Sequence, residues 1–156
     1  MPRRLTPARD ARAVAHDVLL RVETEAAFAD RLLGARLDAL PRADRALAGE
    51  LVYGTLAWQG RLDHHLGQLV RGQVGALDPP VRVALRLGLY QLLYLDRVPA
   101  YAAVDASVRL AHRSGRGAAG LVNAVLRRAA REGRERVARL DASLDPIDRL
   151  AVEWSP

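Results

Sequence analysis

The chain has 156 residues, enough for one domain with an ordinary hydrophobic core. It holds no cysteine, which excludes a disulfide scaffold and any thiolate metal site. The formal charge is +6, and every basic residue is Arg; Lys is absent.

Half the residues are apolar, but only one is Phe, two are Trp and four are Tyr, so the core must be built from Leu, Val and Ala. Ala and Leu favour helices. Thr6 and Pro7 are a plausible N-cap and first helical residue, and Ala11, Val14, Ala15, Val18 and Val22 then recur at helical spacing. Arg9, Arg12 and His16 fall on the opposite side of that helix. A second helix, near Ala26 to Leu37, is expected to bury Phe28, Leu32 and Leu33, and Leu40-Pro41 ends it. Asp44 is placed to cap a third, RALAGELVYGTLAW, with Leu47, Leu51 and Leu56 inward. RLDHHLGQLV forms a short helix before Gly72 and Gly75 break the pattern.

Asp78-Pro79 is a strong start signal, an Asp N-cap followed by Pro. The helix from there to Leu95 is apolar on most sides, the mark of a central helix. With Arg82, Arg86 and Gln91 in it, this stretch is too short and too polar to span a bilayer. After Pro99, residues 101 to 113 form a helix with Val104, Val108 and Ala111 inward. A Gly-rich turn, SGRGAAG, leads into a helix over 118–131, and 134–140 and 146–154 read as short, weaker helices. No window alternates with period two. The expected fold is all-α, one domain of seven to nine helices with short connections.

Few motifs invite chemistry. GRGAAG, with Gly115, Gly117 and Gly120, spells a phosphate-binding G-x-G-x-x-G, but a helix tail precedes it where that motif needs a strand. A helix–helix turn is the better reading. Asp63, His64 and His65 are adjacent, and neighbours on a helix point about 100° apart, so the two histidines are not set to share one metal ion. No G-x-S-x-G elbow exists and no pair of carboxylates stands out, so no catalytic constellation is expected.

The charge is unevenly placed. Residues 1–21 hold five Arg against two Asp, and residues 109–139 hold nine Arg against two Glu, while the rest is net acidic. If the two basic ends meet in space, they suit a polyanion. On the wheel of GLVNAVLRR and its continuation, Leu121, Val122, Val125, Leu126 and Ala129 form an apolar stripe. Asn123, Arg127 and Arg131 fall at i, i+4 and i+8 on the other side, with Arg128 at the edge. Such a row offers an amide and guanidinium forks to phosphates, or is simply a solvated face. Arg3 and Arg4 in the tail, with Arg9 and Arg12, admit the same two readings.

Three stretches together resemble one family: DRALAGELVYGTLAWQGRLDHHL, LRLGLYQLLYLDRVPAYAAVDASVRLA and GLVNAVLRRAARE. They are similar to the NusB-like domain, in the version at the N-terminus of bacterial small-subunit rRNA cytosine-5 methyltransferases of the RsmB, Sun or Fmu type. The resemblance runs from about Thr6 to Leu140. It implies a helical bundle in two subdomains that binds RNA or supports RNA binding by a neighbouring domain. Small-subunit rRNA is the implied partner, with Arg3, Arg4, Arg9, Arg12, Asn123, Arg127, Arg128 and Arg131 as candidate contacts. Residues 1–141 would be the RNA-binding domain and 142–156 the start of a connection to a methyltransferase domain.

Several positions depart from the family pattern. Ala57 precedes Trp58 where Arg is usual, Tyr101 stands where His is common, and Asp105 replaces Asn or Glu. Stand-alone NusB antitermination factors, the nearest alternative, tend to read N-G-V-L-D where this chain has Asn123-Ala124-Val125-Leu126-Arg127. That reversal of charge favours the methyltransferase branch. The implied chemistry uses two cysteines and S-adenosylmethionine. With no Cys, the chain is expected to be non-catalytic and to bind no cofactor itself. A protein-interaction domain without an RNA role is the third reading. The lack of Cys and of an N-terminal apolar signal fits the cytoplasm, with no membrane partner.

Overall fold

Helix α1 (Ala11–Glu25) begins where the Asp10 carboxylate accepts a hydrogen bond from the Arg12 amide at 2.8 Å, an ordinary N-cap. The structure, a computed structural model, describes residues 10–143. The Thr6-Pro7 start, the arginines at 3, 4 and 9, and the segment 146–154 therefore lie outside the described residues. Six helices follow: α2 (Ala29–Leu37), α3 (Arg42–Ala57), α4 (Gln59–Leu69), α5 (Pro79–Tyr94), α6 (Ala100–Ala111) and α7 (Arg116–Ser143). Short 3-10 turns lie at Val74–Ala76 and His112–Ser114. Among the described residues there is no strand, as the lack of period-two patterning requires.

Helix α5 starts at Pro79 behind Asp78, as the sequence predicts, and is the axis of the bundle. It packs on α1, α3, α4, α6 and α7, and each residue from Val81 to Gln91 is buried. Leu85, Leu87 and Leu89 are fully enclosed, with Leu51, Leu62, Leu66 and Leu126 around them. Gly88 makes that enclosure possible. A Cβ there would collide with Leu126 of α7 and come within 2.9 Å of Ser107 Oγ of α6. Glycine lets three helices meet at one point, and α7 gains its packing against both α5 and α6 there.

Burial of α5 includes its arginines, which the apolar pattern alone does not explain. Arg86 donates to Asp63 of α4 through Nε and Nη2 at 2.7 and 2.8 Å, and through Nη1 to Glu23 of α1 at 3.3 Å. Arg82 donates from Nε to the same Glu23 at 2.8 Å and from Nη1 to the Leu77 carbonyl at 2.6 Å. Planar forks on matched carboxylates satisfy these buried cations. The network ties α1, α4 and the loop before α5 to one helix.

Three expectations are corrected. His16 is not on a solvated row: it is buried, with Nε2 2.9 Å from the Pro80 carbonyl oxygen. The reason is that α1 lies between α3 and α5, so its second side is covered too. Phe28 is 73% exposed, because the chain turns at Ala26 (φ 52°) and α2 starts three residues late, leaving Phe28 as the residue before the helix. Asp44 sits in the first turn of α3; Pro41 occupies the N-cap.

The GRGAAG stretch is the helix–helix turn expected. Gly115 takes φ +107° between the 3-10 turn and α7. Helix α7 is two segments joined at a bend, where Gly133 takes φ 53° and ψ −136°. The weaker helix read over 134–140 is the segment beyond the bend. Arg136 there is buried, and its Nη1 donates to Gln68 of α4 at 2.8 Å. Arg61 of α4 donates to Asp141 at 2.5 Å and lies over the Trp58 ring, 5.4 Å from its centroid. Trp58 in turn stacks on Tyr94 at 4.7 Å.

Candidate nucleic-acid interface

The apolar stripe of α7 is buried as the wheel requires, with Val122, Val125, Leu126 and Ala129 in the core. Asn123, Arg127 and Arg131 therefore emerge together on the outer side. They line a groove of about 560 Å³ between α6 and α7, facing Tyr101, Val104 and Asp105. The Arg127 Nε donates to Asn123 Oδ1 at 3.0 Å, which orients the amide and leaves its NH₂ available. Arg127 and Arg131 are exposed, and neither has a carboxylate partner among the described residues. The acid that lines the groove, Asp105, is paired with Arg109 one turn on, at 3.3 Å.

Arg128 is separated from this row. Its Nε donates to Glu132 Oε1 at 3.1 Å, and the other oxygen of Glu132 accepts from Arg136 at 3.0 Å and Arg139 at 2.7 Å. Partial burial would raise the pKa of Glu132, but the hydrogen bonds from Arg136 and Arg128 outweigh it and hold the carboxyl below its ordinary value. Glu132 thus stays ionised, and Arg128 has a standing partner that the two groove arginines lack.

Arg12 is half-buried, and its Nε donates to Gln91 Oε1 of α5 at 2.7 Å. It borders a smaller hollow of about 230 Å³ with Asp10, Arg109, Leu110 and Arg113. So α6 stands between Arg12 and the α7 row. The remaining N-terminal arginines at 3, 4 and 9 lie outside the described residues, and Arg12 and the α7 row flank α6 and do not lie on adjoining helices. The outer face of α6, with Tyr101, Asp105 and Arg109 exposed, joins them.

Tyr101 is the residue that the pattern of charge did not single out. It is 78% exposed in the first turn of α6, at the mouth of the groove. The sequence signal was an aromatic two residues beyond a helix-starting Pro, on the side opposite the buried Ala103. The histidines play no part in this site. His65 is fully enclosed, and burial, then the nearby Arg136 charge, lowers its pKa to about 4. No cluster of three metal-ligating side chains occurs among the described residues, and no helix there is long and apolar enough to cross a membrane.

Comparison with known proteins places the chain in a family. The model of the NusB family matches residues 9–131. The ribosomal RNA small subunit methyltransferase B of Pseudomonas putida is 44% identical over 120 residues, 76% of this chain and 27% of that protein. The chain spans about a quarter to a third of the length of the curated relatives it matches. In shape it is similar to T. maritima NusB, with a TM-score of 0.73 at 20% identity over 83% of this chain and 94% of that one. It is also similar to a chain in the complex of the antitermination factors NusB and NusE with dsRNA, with a TM-score of 0.71 at 20% identity over 82% and 98%. The fold, the match over most of the described residues and the helix pattern agree: the chain belongs to the NusB family.

Proposed function

We propose that this chain is the RNA-binding module of a small-subunit rRNA methyltransferase, and that it contributes grip and no chemistry. The observation that carries the reading is the groove on α7, where Arg127, held by Asn123, and Arg131 are exposed and have no carboxylate partner among the described residues, while most other arginines there are engaged. Free guanidinium forks beside an amide suit phosphate oxygens. The methyltransferase relatives and the NusB complex with dsRNA support RNA as the polyanion. Cysteine is absent from the sequence, so the nucleophile of cytosine-5 methylation and the S-adenosylmethionine site would belong to a further domain. Such a domain is the expected intramolecular partner, and the cytoplasm the expected place of action.

The test is binding of the 156-residue chain to small-subunit rRNA fragments across a salt series. Phosphate contacts make log K fall linearly with log[salt]. Arg127→Glu with Arg131→Glu should abolish most of the affinity without unfolding the bundle, since both side chains are exposed. Unchanged affinity in that double variant would leave the protein-interaction reading. Binding that requires a ribosomal-protein partner and a leader RNA would point to the antitermination role.

A further inference from the structure

Building on the RNA-binding reading, we infer that the α6–α7 groove takes an unpaired RNA nucleobase, stacked on Tyr101, while Arg127 and Arg131 hold the phosphates beside it. A nucleobase has apolar faces and a polar edge, and the groove has the complementary surface. Its walls carry the aliphatic groups of Val104, Val108 and Ala130. Its polar groups are the Asn123 amide, whose oxygen is already taken by Arg127, and the Asp105 carboxylate. One is left as a donor and the other as an acceptor. Each of the four bases shows a donor next to an acceptor on its edge, so this pair accepts a base without selecting one strongly.

Tyr101 gives the site its aromatic platform. A tyrosine that is 78% exposed forfeits most of its burial, and the side chain makes no hydrogen bond among the described residues. Stacking on a base would recover that loss, and aromatic stacking of this kind is tolerant of sequence. The N-terminus of α6 adds to the site. Pro99 occupies its N-cap and supplies no side-chain cap, and the first amide to bond back to Pro99 is that of Ala102. The amides of Ala100 and Tyr101 have no acceptor among the described residues, and both residues line the groove, where the positive end of a helix favours a phosphate. Among the described residues Asp105 is the one acid lining the groove, and Arg109 offsets it. A duplex could meet only the arginines, because its bases spend their faces on stacking and their edges on pairing.

The experiment compares the 156-residue chain on a short unstructured RNA and on the duplex of the same sequence, by fluorescence anisotropy over a salt series. Tyr101→Ala should weaken binding of the single strand about tenfold to a hundredfold. It should leave the salt slope unchanged, and Tyr101→Phe should bind as the native chain does. Arg127→Ala with Arg131→Ala should instead reduce the slope by about 1.4, at roughly 0.7 per lost phosphate contact. Tyr101→Ala binding the single strand normally, or weakening single strand and duplex alike, would overturn the stacking site while leaving the RNA reading in place. No binding of either RNA by the native chain would overturn both.

Discussion

Asp63→Ala is the sharpest probe of how this bundle holds its central helix. The Arg86 side chain is only 9% exposed and donates to both Asp63 oxygens at 2.7 and 2.8 Å. Removing Asp63 leaves a buried guanidinium with one longer contact, 3.3 Å to Glu23, an oxygen that Arg82 already occupies at 2.8 Å. Stranding one partner of a buried pair costs about 3–5 kcal/mol. Asp63 itself is 31% exposed, so water partly replaces it and the lower end applies, about 3 kcal/mol. Against a typical total of ~5–15 kcal/mol this is a large loss. In urea, with a slope of about 2 kcal/mol per M, the midpoint should drop by roughly 1.5 M. The second arm is Asp63→Ala with Arg86→Met, which removes the stranded charge and should recover most of the loss. A midpoint within about 0.3 M of the native chain in the single variant, or a double variant no better than the single, refutes the account.

Other outcomes follow from the same contacts. Gly88→Ala should destabilise by about 1–3 kcal/mol, since its methyl meets Leu126 and Ser107, and Leu126→Ala in the same chain should lessen that particular penalty in thermal unfolding. His65 takes up a proton near 6.5 when unfolded and near 4 when folded, so the unfolded state binds more protons between those values and stability falls as pH falls through them. The loss reaches on the order of 3 kcal/mol at pH 4, and His65→Gln should lack that share; parallel urea midpoints for both proteins from pH 7 to 4.5 would sink it. Arg128→Ala should cost under about 1 kcal/mol by the same measurement, because its ion pair with Glu132 is at the surface.

Much of this was legible from spacing alone. The Asp78-Pro79 start, the burial of α5 and the apolar stripe of α7 followed from period and capping, which are local properties. The fate of individual charges did not. Arg61, Arg82, Arg86 and Arg136 read as surface residues on any wheel, yet each is buried against an acid or amide from another helix. Those partners lie 23 to 80 positions away in the sequence, so no window contains them. His16 fails for the same reason: its row faces α5, and only the packing of a second helix covers it. The Asn123–Arg127–Arg131 row was readable because one helix carries all three. That Tyr101 and Asp105 stand across from it depends on how α6 docks, which the residues at Gly88 decide.

The bend at Gly133 settles how far the last helix can extend. Drawn straight, 28 residues would form a rod of about 42 Å, well beyond the ~30 Å breadth of a small domain. Instead the helix bends, and its final turns are tied to α4 by Arg136 to Gln68 and by Arg61 to Asp141. A single glycine in a non-helical conformation thus decides which neighbour the last ten residues of α7 meet, trading a longer rod for a second contact with the bundle.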